Sequence, residues 1–376
     1  MANTEAKQLR EPAEMQYQTQ IQALIQQDGD DKPANWKLSP QAVLTYILGG
    51  TTIEAKTGRK KTAVEITRKF FGERALVEKA IVTLASERAL LLLGEPGTGK
   101  SWLSEHLTAA ITGNSTLTLQ GTAGTTEEQI KYSWNIARVI AEGPNEHNLI
   151  PSPTLQAMQQ GTILRFEEIT RCLPDVQDAL VSILSDKAIA IPELPGRSMV
   201  WAKAGFNIIA TANSRDQGVN ELSAALKRRF NYLYIPVIAD KTTEINIIKE
   251  RTQELMQHYS IPSRLPEPMI DLLATVFREI RNGMTREGTR IKQASTALST
   301  AEAIGVALES ALTAQYFGQG VVTPADIAKN LVGSVVKEDR DDWAVLREYN
   351  ALVAKKRAVD DPDWRVFHQE LMAVLG

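Results

Sequence analysis

From residue 71 to about residue 238, short apolar runs alternate with helical stripes. The runs fall at 89–93, 115–120, 162–166, 206–212 and 232–238, each of strand length. Between them, 102–111 and 176–184 carry apolar residues at helical spacing. Alternation of this kind predicts an α/β core, a parallel sheet covered by helices. After Lys241 the strand signals fade. Helical periodicity then runs through 244–259, 269–281, 294–316, 324–335 and 343–359.

The part before residue 71 reads differently. Residues 1 to about 36 are polar and Gln-rich, which predicts a loosely held segment with a helix over 15–26. Ser39 can cap a helix that begins at Pro40, carries Val43, Leu44, Ile47 and Leu48 as its stripe, and ends at Gly49–Gly50. A small hairpin turning at Thr57–Gly58 follows. Lys56, Arg59, Lys60 and Lys61 crowd its tip, as a solvated turn or as a phosphate or partner contact. Four regions result: a polar N-terminal segment with a short helix and hairpin (1–70), a core of alternating strands and helices (71–238), a helical second region (239–335) and a C-terminal helical extension (336–376).

Composition narrows the chemistry. Of 376 residues, 43% are hydrophobic and 23% charged, which is ordinary globular usage and enough chain to bury large cores. The one cysteine, Cys172, leaves no intramolecular disulfide and no thiolate zinc site. The four histidines show no metal-ligand spacing. Lys+Arg 42 against Asp+Glu 45 does not suggest a nucleic-acid coat protein. No leader-like apolar region opens the chain and no run is long enough to span a membrane, so a soluble cytoplasmic protein is expected.

The strongest local signal is Gly94, Glu95, Pro96, Gly97, Thr98, Gly99, Lys100 and Ser101, which matches GxxxxGK[ST] at every fixed position. It follows an expected strand and opens an expected helix, the context this loop requires. Its glycines let successive N–H groups turn inward around a phosphate chain, and the helix adds its positive end. Lys100 would neutralise phosphate charge, and Ser101 would bind Mg²⁺ through its hydroxyl.

A phosphate loop also needs an acid at the end of a nearby strand. Residues 162–166 lead into Glu167 and Glu168. Glu167 takes the metal-side position and Glu168 the position that polarises water. Glu167 is one methylene longer than the usual Asp, which points to slow hydrolysis. Arg165 interrupts this otherwise apolar run. Asn213 ends the next strand, where its amide can orient the attacking water. Last comes a helix ending in Lys227, Arg228 and Arg229. The helix dipole alone favours such a cluster. Its functional reading is an arginine finger reaching a neighbour's γ-phosphate, Arg229 first and Arg228 as the alternative.

With these elements in this order, the chain resembles the AAA+ ATPases, specifically the MoxR family, over residues 71–230. The strand and helix around Ile163–Arg171 and Pro174–Leu180 carry the family likeness, and GEPGTGKSW and LSTAEA are most like its YehL-type branch. The resemblance implies a sheet-and-helix core with a helical lid, ATP and Mg²⁺, and a homo-hexameric ring. It also implies chaperone-like remodelling of a client protein, commonly one with a von Willebrand factor A domain. Two insertions are expected. One lies at about 121–153, with Tyr132 and Trp134. The other lies at 187–203, with Arg197 and Trp201 placed to face a ring pore. Arg171 falls where the family has an Arg after the acidic strand, contacting a neighbour or locking the helix. The lid segment 297–301 lacks the usual sensor arginine, for which Arg286 or Arg290 would substitute. The alternatives to a ring remodeller are an ATP-gated scaffold with very slow hydrolysis and a nucleic-acid motor lined by Lys187, Arg197 and Lys203.

Overall fold

The computed structural model describes residues 9–57, 60–194, 196, 198–214, 220–294, 298–337 and 340–376. Eleven strands occur among them: β1 (Thr51–Thr57), β2 (Lys60–Ile66), β3 (Ala89–Gly94), β4 (Thr118–Gln120), β5 (Tyr132–Trp134), β6 (Leu149–Pro151), β7 (Ile163–Glu167), β8 (Ala188–Ala190), β9 (Met199–Trp201), β10 (Asn207–Asn213) and β11 (Phe230–Ile235). Two compact units form. One runs up to Gly94 and resumes over Gly99–Ile235. The other joins Glu95–Thr98 to Pro236–Gly376.

The first unit is built on a five-stranded parallel sheet in the order β11-β3-β10-β7-β4. These are the five strands the apolar runs predict. The last is shorter than expected, because Pro236 has no N–H to continue the ladder beyond Ile235. Alternate β3 residues enter different cores. Leu90 and Leu92 pack on one face of the sheet, and Ala89 and Leu91 on the other. Because β10 lies between β3 and β7, the phosphate loop and the acidic strand are not direct neighbours. A β10 side chain can therefore bridge them.

The N-terminal segment departs from expectation. Among the described residues it is packed, not loose. Tyr17, which caps helix Gln18–Gln27, and Ile21 and Leu24 within it join Trp36 and Leu38 in the core that holds Leu90 and Leu92. These apolar residues are few, but they stand at i, i+4 and i+7 on one helix face. Polar ties add to them. Ser115 donates to Glu14 from its backbone N–H (3.0 Å) and its hydroxyl (2.7 Å), and Arg10 pairs with Glu105. Of the hairpin-tip cations, Lys61 pairs with Glu54 across β1 and β2, and Arg59 lies outside the described residues.

The second unit is helical, as the periodicity predicts. Helices Lys241–His258, Glu267–Asn282, Thr300–Phe317, Pro324–Val335 and Pro362–Leu375 share one apolar core, with Phe277, Leu331, Tyr349 and Phe367 buried in it. The third begins at Thr300 rather than near 294, because Ser299 and Glu302 form a reciprocal cap. The stretch expected as one helix over 343–359 passes through a π-helical segment, Asn350–Ala354.

Candidate active site

The phosphate loop is preorganised by its glycines. Gly97 (φ 73°) and Gly99 (φ 84°) take the left-handed backbone that side chains disfavour. Helix Lys100–Thr112 starts directly after Gly99, and no side chain caps it. Its first N–H groups and positive end therefore face an anion position. Lys100 is buried and donates from Nζ to the Gly94 carbonyl oxygen (3.1 Å), so its ammonium lies across the mouth of the loop. Glu95–Thr98, the tip, lines a small pocket with Val237, Ile238, Arg281 and Leu298–Thr300.

Glu167 ends β7 with only 5% of its surface exposed, yet its carboxylate is fully hydrogen-bonded. Oε2 accepts from Ser101 Oγ (2.7 Å) and Thr211 Oγ1 (2.7 Å). Oε1 accepts from Ser104 Oγ (2.7 Å) and Arg165 Nη2 (2.9 Å). Burial pushes this carboxyl up. The bonds from Ser104 and Ser101, the Arg165 charge and the Thr211 bond outweigh burial and hold it below the usual carboxylate range. It stays ionised at neutral pH. Ser101 donates to it and keeps lone pairs free. An all-oxygen pair of this kind suits Mg²⁺, which takes few protein ligands and completes its shell with phosphate oxygens and water. Among the described residues no group of three or more His, Cys, Asp or Glu could hold a metal alone.

Glu168 stands next in the chain in left-handed backbone (φ 54°). Its N–H donates to Thr211 Oγ1 (3.0 Å), so one hydroxyl fixes both acids. Its carboxylate pairs with Arg171 Nε (2.7 Å) and accepts from Gln120 Nε2 (3.2 Å). Arg171 thus reaches an acid of its own chain. Asn213 ends β10 in register with Gly94, two residues past Thr211 and on the same strand face.

Arg229 lies elsewhere. It precedes β11, whose first residue, Phe230, pairs with Ala89, whereas Ile235 pairs with Gly94. Six residue steps separate it from Ile235, at the phosphate-loop end of the sheet, about 20 Å at the usual rise. It lines a cavity of about 660 Å³ with Arg88, Lys187, Lys203 and Arg228. Its Nη1 donates to the Ala225 carbonyl (2.6 Å) and its Nε to Ser185. Among the described residues, none of these five cations has a carboxylate at ion-pair distance.

The expected sensor substitutes do not line the pocket at the loop tip. Arg286 pairs with Glu287, exposed, and Arg290 is exposed. Both lie beyond the end of helix Glu267–Asn282. Arg281, inside that helix, lines the pocket at the loop tip. It is held by Glu244 (2.8 and 3.0 Å) and the Leu298 carbonyl (3.0 Å). Sequence reasoning missed Arg281, Thr211, Ser104 and Gln120. Spacing offered signals for two of them: Ser104 is one helical turn after Ser101, and Thr211 is one strand repeat before Asn213. The first insertion folds as the ribbon β5–β6 around a helix that exposes Ile136 and Ile140. In the second, β8 pairs with β9 and Trp201 is 64% exposed, while Arg197 lies outside the described residues.

A phosphate loop, an acidic strand one place removed and an Asn-ended strand between them define a P-loop nucleotide-binding domain of the AAA+ class. The AAA domain of the dynein-related subfamily matches residues 89–230, and the YehL-like AAA+ ATPase C-terminal domain matches 242–375. The chain is 41% identical to the uncharacterised protein YehL of Escherichia coli K12 over 364 residues, 96% of each chain. It belongs to the YehL family of AAA+ ATPases. An uncharacterised protein of Staphylococcus aureus USA300 is 28% identical over 45% of this chain and 62% of its own. Among solved structures, NtrX of Brucella abortus in complex with ATP overlays with TM-score 0.49 at 12% identity, covering 80% of this chain and 67% of that one. Among the described residues no helix is long and apolar enough to cross a membrane.

Proposed function

We propose that this chain is a cytoplasmic MoxR-type ATPase that binds and hydrolyses ATP in a homo-hexameric ring and remodels a protein client. The observation that carries this reading is the separation of its parts. Ser101, Glu167, Glu168 and Asn213 gather at one end of the sheet, and Arg229 stands at the other, in a cavity lined by five cations and one acid, Glu87. Arg229 cannot serve its own phosphate loop, so its partner phosphate belongs to a neighbouring copy.

In this mechanism Gly94–Ser101 wrap the phosphates, and Lys100 swings from the Gly94 carbonyl to them. Mg²⁺, when bound, offsets phosphate charge. Ser101 and Glu167 would hold it. Glu168 takes the proton of the attacking water, and Asn213 orients that water. Arg229 of the next subunit stabilises charge on the transferred group. The client is a protein, in line with the family a von Willebrand factor A domain protein, and not a nucleic acid. Exposed Ile136, Ile140 and Trp201 on the two insertions support an apolar contact of this kind. One observation favours a slower, scaffold-like version: Arg171 and Gln120 tie back the Glu168 carboxylate, which has to be released before each turnover.

Steady-state ATP hydrolysis with Mg²⁺, measured for wild type and Glu168→Gln with native mass on the same samples, tests the reading. Turnover by hexamers that is lost in the variant supports it. Monomers alone, or turnover unchanged in Glu168→Gln, would overturn it. Tight binding without turnover selects the scaffold.

A further inference from the structure

Arg165 breaks the apolar run of the acidic strand, and its place in the fold gives that break a purpose. It sits in the middle of β7, between β4 and β10, and is only 9% exposed. Arg165 and Glu167 are two residues apart, so both side chains leave the same face of the strand. The guanidinium spends its donors on one assembly. Nε reaches Ser104 Oγ (3.1 Å) and Nη1 the Ser115 carbonyl (3.1 Å). Nη2 reaches the Ser101 carbonyl (3.3 Å) and Glu167 Oε1 (2.9 Å). It thus grips the metal-side carboxylate and both serines of the helix that opens at the phosphate loop.

We propose that Arg165 is a resident counter-cation of the nucleotide site, a positioning residue that holds Glu167 and carries part of the charge compensation otherwise left to Mg²⁺. The longer Glu side chain lets the carboxylate reach four donors at once, and the fixed guanidinium is one of them. Without Arg165, a buried, uncompensated carboxylate would face the triphosphate. Its repulsion would then be relieved only by the metal. With Arg165 in place, the Ser101–Glu167 pair is already formed before metal arrives, and nucleotide binds with a weak requirement for Mg²⁺.

The inference rests on nucleotide binding at the phosphate loop. The test is binding of a fluorescent ATP analogue, once with Mg²⁺ and once with EDTA, for wild type, Arg165→Met and Arg165→Lys. The quantity read is the dissociation constant in EDTA divided by that with Mg²⁺. Arg165→Met should raise that ratio about tenfold, or about 1.4 kcal/mol. Arg165→Lys, which keeps the charge, should stay within about threefold of wild type. A purely structural role would weaken binding equally in both conditions and leave the ratio unmoved. A folded Arg165→Met with the wild-type ratio overturns the proposal. If Arg165→Met does not fold, Arg165→Gln, neutral but still a planar donor, gives the same reading. Wild type that binds no nucleotide in either condition would instead refute the proposed function.

Discussion

Thr211 is the hinge pin of the two acids, and its hydroxyl can be removed without changing its volume. Oγ1 donates to Glu167 and accepts the Glu168 N–H, and the residue is 1% exposed. Thr211→Val puts a methyl where that hydroxyl was. It removes a hydrogen bond to a charged acceptor, about 1.5–3 kcal/mol, and orphans a buried N–H, about 1–3 kcal/mol. The two losses share one atom and overlap, so a net cost of about 3 kcal/mol is expected. Thr211→Ser does the opposite: it keeps both bonds and deletes one methyl, at about 1 kcal/mol. For a domain of this size 1 kcal/mol moves Tm by about 2–4 °C. Melting followed by circular dichroism should therefore fall by about 6–12 °C in Thr211→Val and by about 2–4 °C in Thr211→Ser. Turnover should follow the same order, because the left-handed backbone of Glu168 loses its anchor only in the valine variant. If Thr211→Ser is as damaging as Thr211→Val, packing and not the shared hydroxyl holds the acids, and the reasoning fails.

Other outcomes follow from neighbouring contacts. A Cβ on Gly121 would lie 2.3 Å from the Glu168 carbonyl oxygen, a backbone atom that cannot yield without moving the acid. Gly121→Ala should lower Tm by a few degrees and ATP turnover by tenfold or more, and unchanged turnover would refute that contact. The depressed Glu167 carboxyl gives a signed pH dependence. Its contribution is complete above the usual glutamate value of 4.5 and is lost as pH falls below that through the folded value. Denaturant unfolding from pH 7 to 3 should show a stability loss below about pH 4.5 that is smaller in Glu167→Gln. Equal slopes would remove Glu167 as a source of acid sensitivity.

The phosphate loop, both acids and Asn213 were legible because each stands in a short motif whose local context, strand then turn or helix, is itself readable. The five strands were legible because a parallel sheet buried on both faces leaves continuous apolar runs. What escaped depends on contacts distant in sequence. Arg165 reads as a flaw in a strand until Ser104, 61 residues earlier, is brought beside it. Thr211 looks like one more strand-former until β10 is placed between the loop strand and the acidic strand. The N-terminal segment looked unanchored because three apolar positions among glutamines make a weak stripe, and only the sheet they cover reveals their weight. Arg281 does not stand out beside Arg286 and Arg290, because periodicity does not say which residue of helix Glu267–Asn282 lines the pocket at the loop tip.

In the proposed ring, Arg229 completes the site of another copy. Arg229→Ala and Glu168→Gln should each abolish turnover when pure. Mixed in equal amounts, they should recover a substantial fraction of the wild-type rate, since an Arg229→Ala subunit keeps its own acids and borrows the finger of a Glu168→Gln neighbour. A mixture no more active than its two components, with mixed assemblies verified by mass, would contradict the account.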